Sequence, residues 1–183
     1  MTMVARLPIQ TARLILRDFQ ASDLGAYCDL RTHPDFQRFY GPGEGSRERS
    51  VALLGEFLSW ATENPRLRFQ LAIEEPRLGL VGSCGVRIKD EDRSQATLGC
   101  ELGRQHWGCG YALEAGRALI EFAFSDLGVH RIQAETVAEN RSALSLAQRL
   151  GMHIEKRQRE SQWFRTRLRD TVTLGLLSSE WEM

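Results

Sequence analysis

Two glycines stand at the start of a predicted helix, in the segment "QHWGCGYALEAG" at positions 105–116. Glycine lowers helix stability, so Gly108 and Gly110 call for another explanation. The first backbone N–H groups of a helix lack intrahelical acceptors and carry partial positive charge. Glycine leaves room for an anion and permits dihedral angles that point successive N–H groups at it. The segment therefore predicts a phosphate or pyrophosphate site, with a tight strand-to-helix turn as the alternative.

The common nucleotide-binding fingerprints do not match this segment. A dinucleotide motif of the form GxGxxG would need a third glycine three positions after Gly110, where the sequence has Leu113. The Gly-Lys-Ser/Thr ending of a phosphate-binding loop of the Walker type is also missing. These mismatches disfavour an enzyme that uses ATP or NAD.

The elements that must position these glycines follow from hydrophobic periodicity and turn residues. Hairpin-forming strands come first, and from about residue 104 the pattern changes to helices that alternate with strands. This order implies a mixed sheet with at least one parallel pair, in an α/β (α+β) protein. The predicted strands are 13–19, 68–74, 79–88, 96–103, 130–137, 153–162 and 168–178, and the predicted helices are 22–31, 47–62, 110–126 and 141–150.

Composition restricts the class of protein. The 183 residues predict one domain, 1–183, and 42% hydrophobic with 26% charged residues is ordinary for a globular chain. Equal numbers of basic and acidic residues, 24 each, disfavour a nucleic-acid partner. No apolar run approaches the roughly 20 residues of a membrane span, and the start lacks the apolar core of a signal peptide, so we expect a cytoplasmic protein without a membrane partner. No metal is expected, because the cysteines lack ligand spacing: Cys28, Cys84, Cys100 and Cys109.

Several segments together resemble one known family. The stretch "QHWGCG" matches the pattern Gln/Arg-x-x-Gly-x-Gly/Ala between a strand and a buried helix. With the segments below, the sequence resembles the GNAT (Gcn5-related N-acetyltransferase) superfamily and, within it, the RimJ/RimL-type acetyltransferases. The resemblance covers nearly the whole chain, in "TARLILRDFQASDL" (11–24), "WGCGYALEAGRALIEFAF" (107–124), "LGVHRIQAETVAEN" (127–140), "AQRLGM" (147–152) and "LRDTVTLGLLSSEW" (168–181).

The resemblance implies a GNAT fold and a place for acetyl-CoA. The fold is a mixed, mostly antiparallel sheet of about seven strands, splayed between strands 4 and 5 and flanked by helices, and acetyl-CoA lies in the splay. Its pantetheine arm would pair with strand 96–103 near Leu102 and Arg104. Asn140 would contact the coenzyme, cap a helix, or do both. The pyrophosphate would bind the backbone of the 105–111 loop, at Gln105, Gly108, Cys109, Gly110 and Tyr111.

The activity that the resemblance implies is direct acetyl transfer, in a ternary complex, to a primary amine of a protein N-terminus or a small molecule. Such a reaction needs no covalent intermediate, so Cys109 is not expected to act as a nucleophile. A backbone N–H near Leu102 would polarise the thioester carbonyl. Glu101 is the candidate base, acting directly or through water, with Glu160 and Asp170 as weaker alternatives. An exposed side chain or an ion-pair partner is the alternative for Glu101.

The proton donor for the departing thiolate is less defined. Many GNAT enzymes have a tyrosine seven residues after the asparagine, where this chain has Ala147, and RimJ/RimL-like members have a serine three residues after it, where this chain has Ala143. Ser142 is the candidate acid, with Ser145, a water or no dedicated acid as alternatives. These departures leave open a second reading, a non-catalytic acyl-CoA-binding sensor or scaffold. An exposed final strand makes a homodimer possible.

Overall fold

The computed structural model describes residues 6–164 and 167–181, which contain one mixed sheet of eight strands in the order β1-β2-β3-β4-β5-β6-β8-β7. The two-residue strand β1 was not predicted and accounts for the difference from the expected seven. The strands are β1 Ile9–Gln10, β2 Ile15–Asp18, β3 Arg68–Glu75, β4 Gly79–Ile88, β5 Gln95–Leu102, β6 Arg131–Val137, β7 His153–Phe164 and β8 Arg167–Leu177.

In the part of the chain that the structure describes, four α-helices flank the sheet at the predicted places. They are α1 Leu24–Thr32, α2 Arg47–Trp60, α3 Tyr111–Glu121 and α4 Arg141–Arg149. The predicted helix 110–126 is α-helical only as far as Glu121 and continues as a π-helical turn, Phe122–Asp126. Among the residues described, none of the helices combines the length and the apolar character that crossing a bilayer requires.

The helices pack on the two faces of the sheet because strand side chains alternate in direction. On β3, Ala72 packs in the cluster formed with α1 and α2, which includes Tyr27 and Phe57. Its neighbours Leu71 and Ile73 belong to the larger core on the opposite face, with residues of α3 and α4. The site described below therefore lies on a sheet that is covered from both sides.

The sheet opens between β5 and β6, its only parallel pair among the residues described. Register pairing covers Gln95↔Arg131 to Thr97↔Gln133, and then stops although both strands continue. Along its whole length β6 instead pairs with β8. The predicted splay is confirmed, and it lies between the segments that the sequence predicts as the fourth and fifth strands.

The edge of the sheet differs from the expectation for a homodimer. The last strand in sequence, β8, lies inside the sheet, between β6 and β7. The edge is formed by β7, whose residues 153–163 are exposed. The opposite edge is the two-residue strand β1, so β7 is the long edge strand, and a homodimer formed through it remains a prediction.

Candidate active site

The predicted phosphate loop precedes α3 and has the expected backbone geometry. Gly108 and Gly110 have φ angles of 78° and 82°, in the left-handed region that favours glycine. The backbone N–H groups from Gly108 to Leu113 donate to no acceptor within residues 6–164 and 167–181, and the first such bond runs from Glu114 N to Gly110 O at 3.1 Å. A Cβ on Gly108 would meet no atom within 4 Å. The loop therefore presents free donors to open space.

The Arg13 side chain holds the loop in place, and the sequence analysis did not single out this residue. Its Nη1 donates to the carbonyl of Cys109 at 3.0 Å, and its Nε donates to Glu114 at 2.7 Å. The guanidinium also lies over the ring of Tyr111, 4.8 Å from the centroid. Arg13 thus ties the loop to α3, with its charge paired by Glu114.

Glu114 completes this contact from the first turn of α3. It accepts hydrogen bonds from the Thr11 hydroxyl at 2.6 Å and from the backbone N–H of Arg13 at 2.8 Å. Burial alone would raise the pKa of Glu114, but these donors and the charge of Arg13 outweigh it and lower the pKa. The carboxylate is therefore ionised at neutral pH and holds the segment before β2 against α3.

The residues between β5 and the glycines form a short 3-10 turn, Arg104–His106. Arg104, predicted near the coenzyme, is exposed and donates to Asp35 at 2.9 Å. The indole N–H of Trp107 donates to the carbonyl of Leu102 at 2.9 Å and joins the turn to the end of β5. Gln105 and Cys109 are also exposed. The predicted coenzyme residues 104, 105 and 109 are therefore accessible to a ligand.

Asn140 caps α4, which is one of the two roles predicted for it. Its side-chain oxygen accepts from the N–H of Ala143 at 3.2 Å. Its amide NH₂ donates to none of the residues that the structure describes. Ser142 is exposed in the first turn of α4 and makes no hydrogen bond with that part of the chain. Ala147, where related enzymes have tyrosine, is buried.

Glu101 accepts hydrogen bonds from four side chains. The hydroxyls of Tyr27 and Ser83 donate to Oε1 at 3.0 and 2.9 Å. Arg31 and the hydroxyl of Tyr40 donate to Oε2 at 3.0 and 3.4 Å. Only 13% of the Glu101 side chain is exposed. The ion pair that the sequence left as an alternative is present, and the exposed side chain is excluded.

The tyrosine and cysteine side chains around Glu101 stay protonated at neutral pH. Burial raises the pKa of Tyr27 and of Tyr40, and the negative charge of Glu101 raises it further, so both hydroxyls remain donors. Burial also raises the pKa of the Cys100 thiol to about 12, so this thiol is not ionised at neutral pH. Arg31 is 3% exposed and its guanidinium lies 5.2 Å from the ring centroid of Phe36.

A cavity of about 340 Å³ lies against Glu101, between the sheet and helices α1 and α2. Its wall includes the aromatic rings of Phe57 and Trp60 and the charged side chains of Arg49 and Arg87. The part of the chain that the structure describes contains no cluster of three or more histidine, cysteine, aspartate or glutamate side chains suited to a metal ion. The arrangement combines a loop with free backbone donors, a sheet that opens between β5 and β6, and a polar cavity at the end of β5.

Free backbone donors before a helix, a splayed mixed sheet and a polar cavity beside it are features to compare with known enzyme folds. The acetyltransferase (GNAT) domain family matches residues 13–153. The chain therefore belongs to the GNAT acetyltransferase family, and the resemblance noted from its motifs is confirmed.

Individual relatives agree with this assignment. The chain is 29% identical over 176 residues to an uncharacterized N-acetyltransferase, p20, of Bacillus licheniformis, covering 94% of this chain and 97% of that protein. Mycobacterium smegmatis RimJ in complex with CoA-disulfide has the same fold, with a TM-score of 0.80 at 16% identity over 93% of this chain and 84% of that one. Vibrio cholerae spermidine N-acetyltransferase in complex with CoA and spermine has a TM-score of 0.79 at 19% identity, over 93% of this chain and 98% of that one.

Proposed function

We propose that the protein transfers the acetyl group of acetyl-CoA to a primary amine, of a protein N-terminus or a small molecule, within a ternary complex. The observation that carries the proposal is the row of free N–H groups from Gly108 to Leu113, in the loop that follows β5, the strand whose pairing with β6 stops at Thr97. A neighbour of the same fold holds CoA together with the amine spermine. The acetyltransferase class is given by the family.

The coenzyme side of the site would use the chain's backbone. The N–H groups of residues 108–113 would bind the pyrophosphate, with Gln105 and Tyr111 beside them. The backbone of β5 beyond Thr97, which has no strand partner on the β6 side, would pair with the pantetheine arm, and an N–H near Leu102 would polarise the thioester carbonyl. Arg104 would exchange Asp35 for a phosphate, because exposed ion pairs are weak.

Glu101 would receive the acceptor amine. A carboxylate has about four lone-pair sites, and four protein donors already occupy those of Glu101. Direct transfer of the amine proton to Glu101 therefore requires a donor to move aside. Transfer through a water bound at the carboxylate requires the same, and we propose that the longest of the four bonds, from the Tyr40 hydroxyl at 3.4 Å, opens so that Glu101 orients the amine and accepts its proton directly or through that water.

Ser142 is the proposed proton donor to the departing thiolate. Its hydroxyl is free of hydrogen bonds to the described residues and lies two positions from Asn140, whose amide NH₂ is proposed to contact the coenzyme. A water would be the donor if Ser142→Ala left the pH dependence of kcat unchanged. Comparison of the two pH profiles distinguishes these donors.

Two measurements test the proposed function. Acetyl-CoA and CoA are expected to raise the melting temperature, whereas ATP and NAD are not, because a ligand that binds only the folded state stabilises it. Mass spectrometry of a pooled amine library, incubated with acetyl-CoA and protein, is expected to show acetylated products. Coenzyme binding without any transfer would instead favour the non-catalytic sensor, for which the alanines at 143 and 147 are the supporting observation.

A further inference from the structure

A chain of hydrogen bonds joins Glu101 to the far side of the cavity. The Ser83 hydroxyl donates to Glu101 at 2.9 Å, the Gln70 amide donates to Ser83 at 3.1 Å, and Arg87 donates to the Gln70 carbonyl oxygen at 3.1 Å. Guanidinium can only donate and carboxylate can only accept, so the two ends fix the direction of every bond between them. Ser83 and Gln70 are buried, at 0% and 8% exposure.

Glycines make room for this chain on the sheet. Gly85 lies opposite Gln70 in the β3–β4 register, and a Cβ at Gly85 would collide with the Gln70 side-chain oxygen. Gly99 lies opposite Gly85 in the β4–β5 register and lines the cavity, and a Cβ there would meet nothing within 4 Å. The cavity floor between Glu101 and Arg87 is thus formed by backbone and the Gln70 amide.

The charges that line the cavity are paired except at one position. Arg31 pairs with Glu101. Arg49 pairs with two carboxylates, those of Glu44 and Glu56. Arg87 has no carboxylate partner in residues 6–164 and 167–181.

Arg87 is nevertheless held in place. Its Nη2 donates to buried Gln70, and its guanidinium lies 5.2 Å from the ring centroid of Trp60. A guanidinium fixed in this way matches a carboxylate, which it binds through two parallel N–H groups. The same cation repels an acceptor that is positively charged throughout its length.

Building on the proposed function, we propose that the acceptor is a primary amine that also carries a carboxylate, with its amine at Glu101 and its carboxylate at Arg87. Three consecutive hydrogen bonds separate the two groups, a span on the order of 10 Å. A hydrogen bond of about 3 Å at each end leaves about 4 Å or more for the acceptor itself, and an extended peptide covers about 3.3–3.6 Å per residue, so acceptors of one to about three residues fit this span. The cavity volume of about 340 Å³ agrees with an acceptor of this size.

The test compares acceptors that differ only in the carboxylate. The pairs are leucine and leucinamide, Ala-Leu and Ala-Leu amide, and 6-aminohexanoate and 6-aminohexanamide, with spermine as a cationic acceptor. We expect kcat/KM of the wild-type protein to favour the acid by about tenfold or more in at least one pair, the size of effect typical of a charge-assisted hydrogen bond. Arg87→Gln is expected to remove this preference by raising KM for the acid alone.

Arg68→Gln is the matched control. Arg68 also lies over Trp60, 4.7 Å from the ring centroid, but it pairs with Glu63 and does not line this cavity. The acid preference is expected to survive in this variant. Because Arg68 and Arg87 are both exposed, neither substitution is expected to prevent folding, which melting curves check.

The outcomes separate this proposal from the proposed function. Equal or faster acetylation of the amides, acetylation of spermine alone, or an acid preference that persists in Arg87→Gln would overturn the carboxylate assignment and leave the acetyltransferase standing. Absence of transfer to every amine, with acetyl-CoA bound, would overturn both. The comparison of acid with amide in the wild-type protein needs no variant, so the proposal stays testable whatever the substitutions do to folding.

Discussion

Glu101 accepts hydrogen bonds from Tyr27 and Arg31 of α1, from Tyr40 in the loop after it, and from Ser83 of β4. The alternation of β5 predicted the face on which this carboxylate lies, because Glu101 and Thr97 point away from Leu98 and Leu102. The four donors could not be predicted in the same way. They lie 18 to 74 residues away in sequence, and periodicity reports a face of the sheet and not the partners packed on it.

Glu101→Gln is expected to lower turnover while leaving the affinity for acetyl-CoA unchanged. The amide carries no negative charge to hold the acceptor amine, and its NH₂ group faces side chains that also donate. We expect kcat to fall by about a hundredfold or more, the range of general acid–base catalysis. Steady-state kinetics and calorimetric titration with acetyl-CoA measure the two effects.

The control for this variant is Glu56→Gln, which changes a carboxylate on the wall of the same cavity. Glu56 pairs with Arg49 at its exposed end, at 3.3 Å, and does not contact Glu101. Its substitution is expected to change kcat by less than the substitution of Glu101. An unaltered rate in Glu101→Gln would remove this residue from the reaction.

Gly108→Ala tests the phosphate loop at the level of one Cβ atom. Alanine at a φ of 78° strains the backbone by on the order of 1 kcal/mol, and its methyl group would project into the open space beside the loop, where we expect the pyrophosphate. Gly79, the first residue of β4, has a φ of 79° and equally open surroundings. Gly79→Ala should therefore cause similar destabilisation without any loss of coenzyme binding.

Calorimetric titration with acetyl-CoA and thermal melting separate the two contributions. We expect the dissociation constant to rise about tenfold or more in Gly108→Ala and to stay at the wild-type value in Gly79→Ala. Equal affinities in both variants would contradict the assignment of residues 108–113 to the pyrophosphate.

At the scale of elements, α3 and the segment before β2 are joined through Glu114 and Arg13. The family-like stretch "TARLILRDFQASDL" contains Arg13, but nothing in its local pattern indicated a contact with Glu114, which lies 101 residues later. The helix limits were predicted well because caps and glycines are local signals. The π-helical turn after Glu121 was missed, because the residues 122–126 continue the apolar pattern of α3.

The link between Glu114 and Arg13 predicts a pH-dependent stability. The pKa of Glu114 is lower in the folded protein than in the unfolded chain, so its contribution is present above the unfolded-state pKa and is lost as the pH falls through the folded-state value. Glu114→Gln is therefore expected to destabilise the protein at pH 7. The difference from wild type should shrink below about pH 4, near the reference pKa of glutamate.

Denaturant unfolding of both proteins between pH 3 and pH 7 measures this difference. Because Arg13 also donates to the carbonyl of Cys109, acetyl-CoA affinity at pH 7 should fall in the same variant. A destabilisation that is constant across this pH range would show that the carboxylate charge of Glu114 does not stabilise the fold.

At the scale of the whole molecule, the coenzyme would bind where the sheet itself is divided. On one side of the splay are β1 to β5, and on the other are β6, β8 and β7. Only three residues of β5 pair with β6 among the residues described. Helix α3 packs against β4 and β5. The motifs indicated this arrangement through family resemblance, whereas the strand pattern alone indicated only a parallel pair.

A ligand in this position contacts both halves of the sheet and should stabilise them together. At about 100 times its dissociation constant, acetyl-CoA is expected to add roughly 2.7 kcal/mol, which raises the melting temperature of a chain of this length by about 5–10 °C. Calorimetry should show one transition that moves as a whole, and Gly108→Ala should shift less at the same coenzyme concentration. Two transitions, of which acetyl-CoA moves only one, would contradict both the single folding unit 1–183 and a coenzyme bound across the splay, since a ligand that bridges the halves cannot leave one of them unaffected.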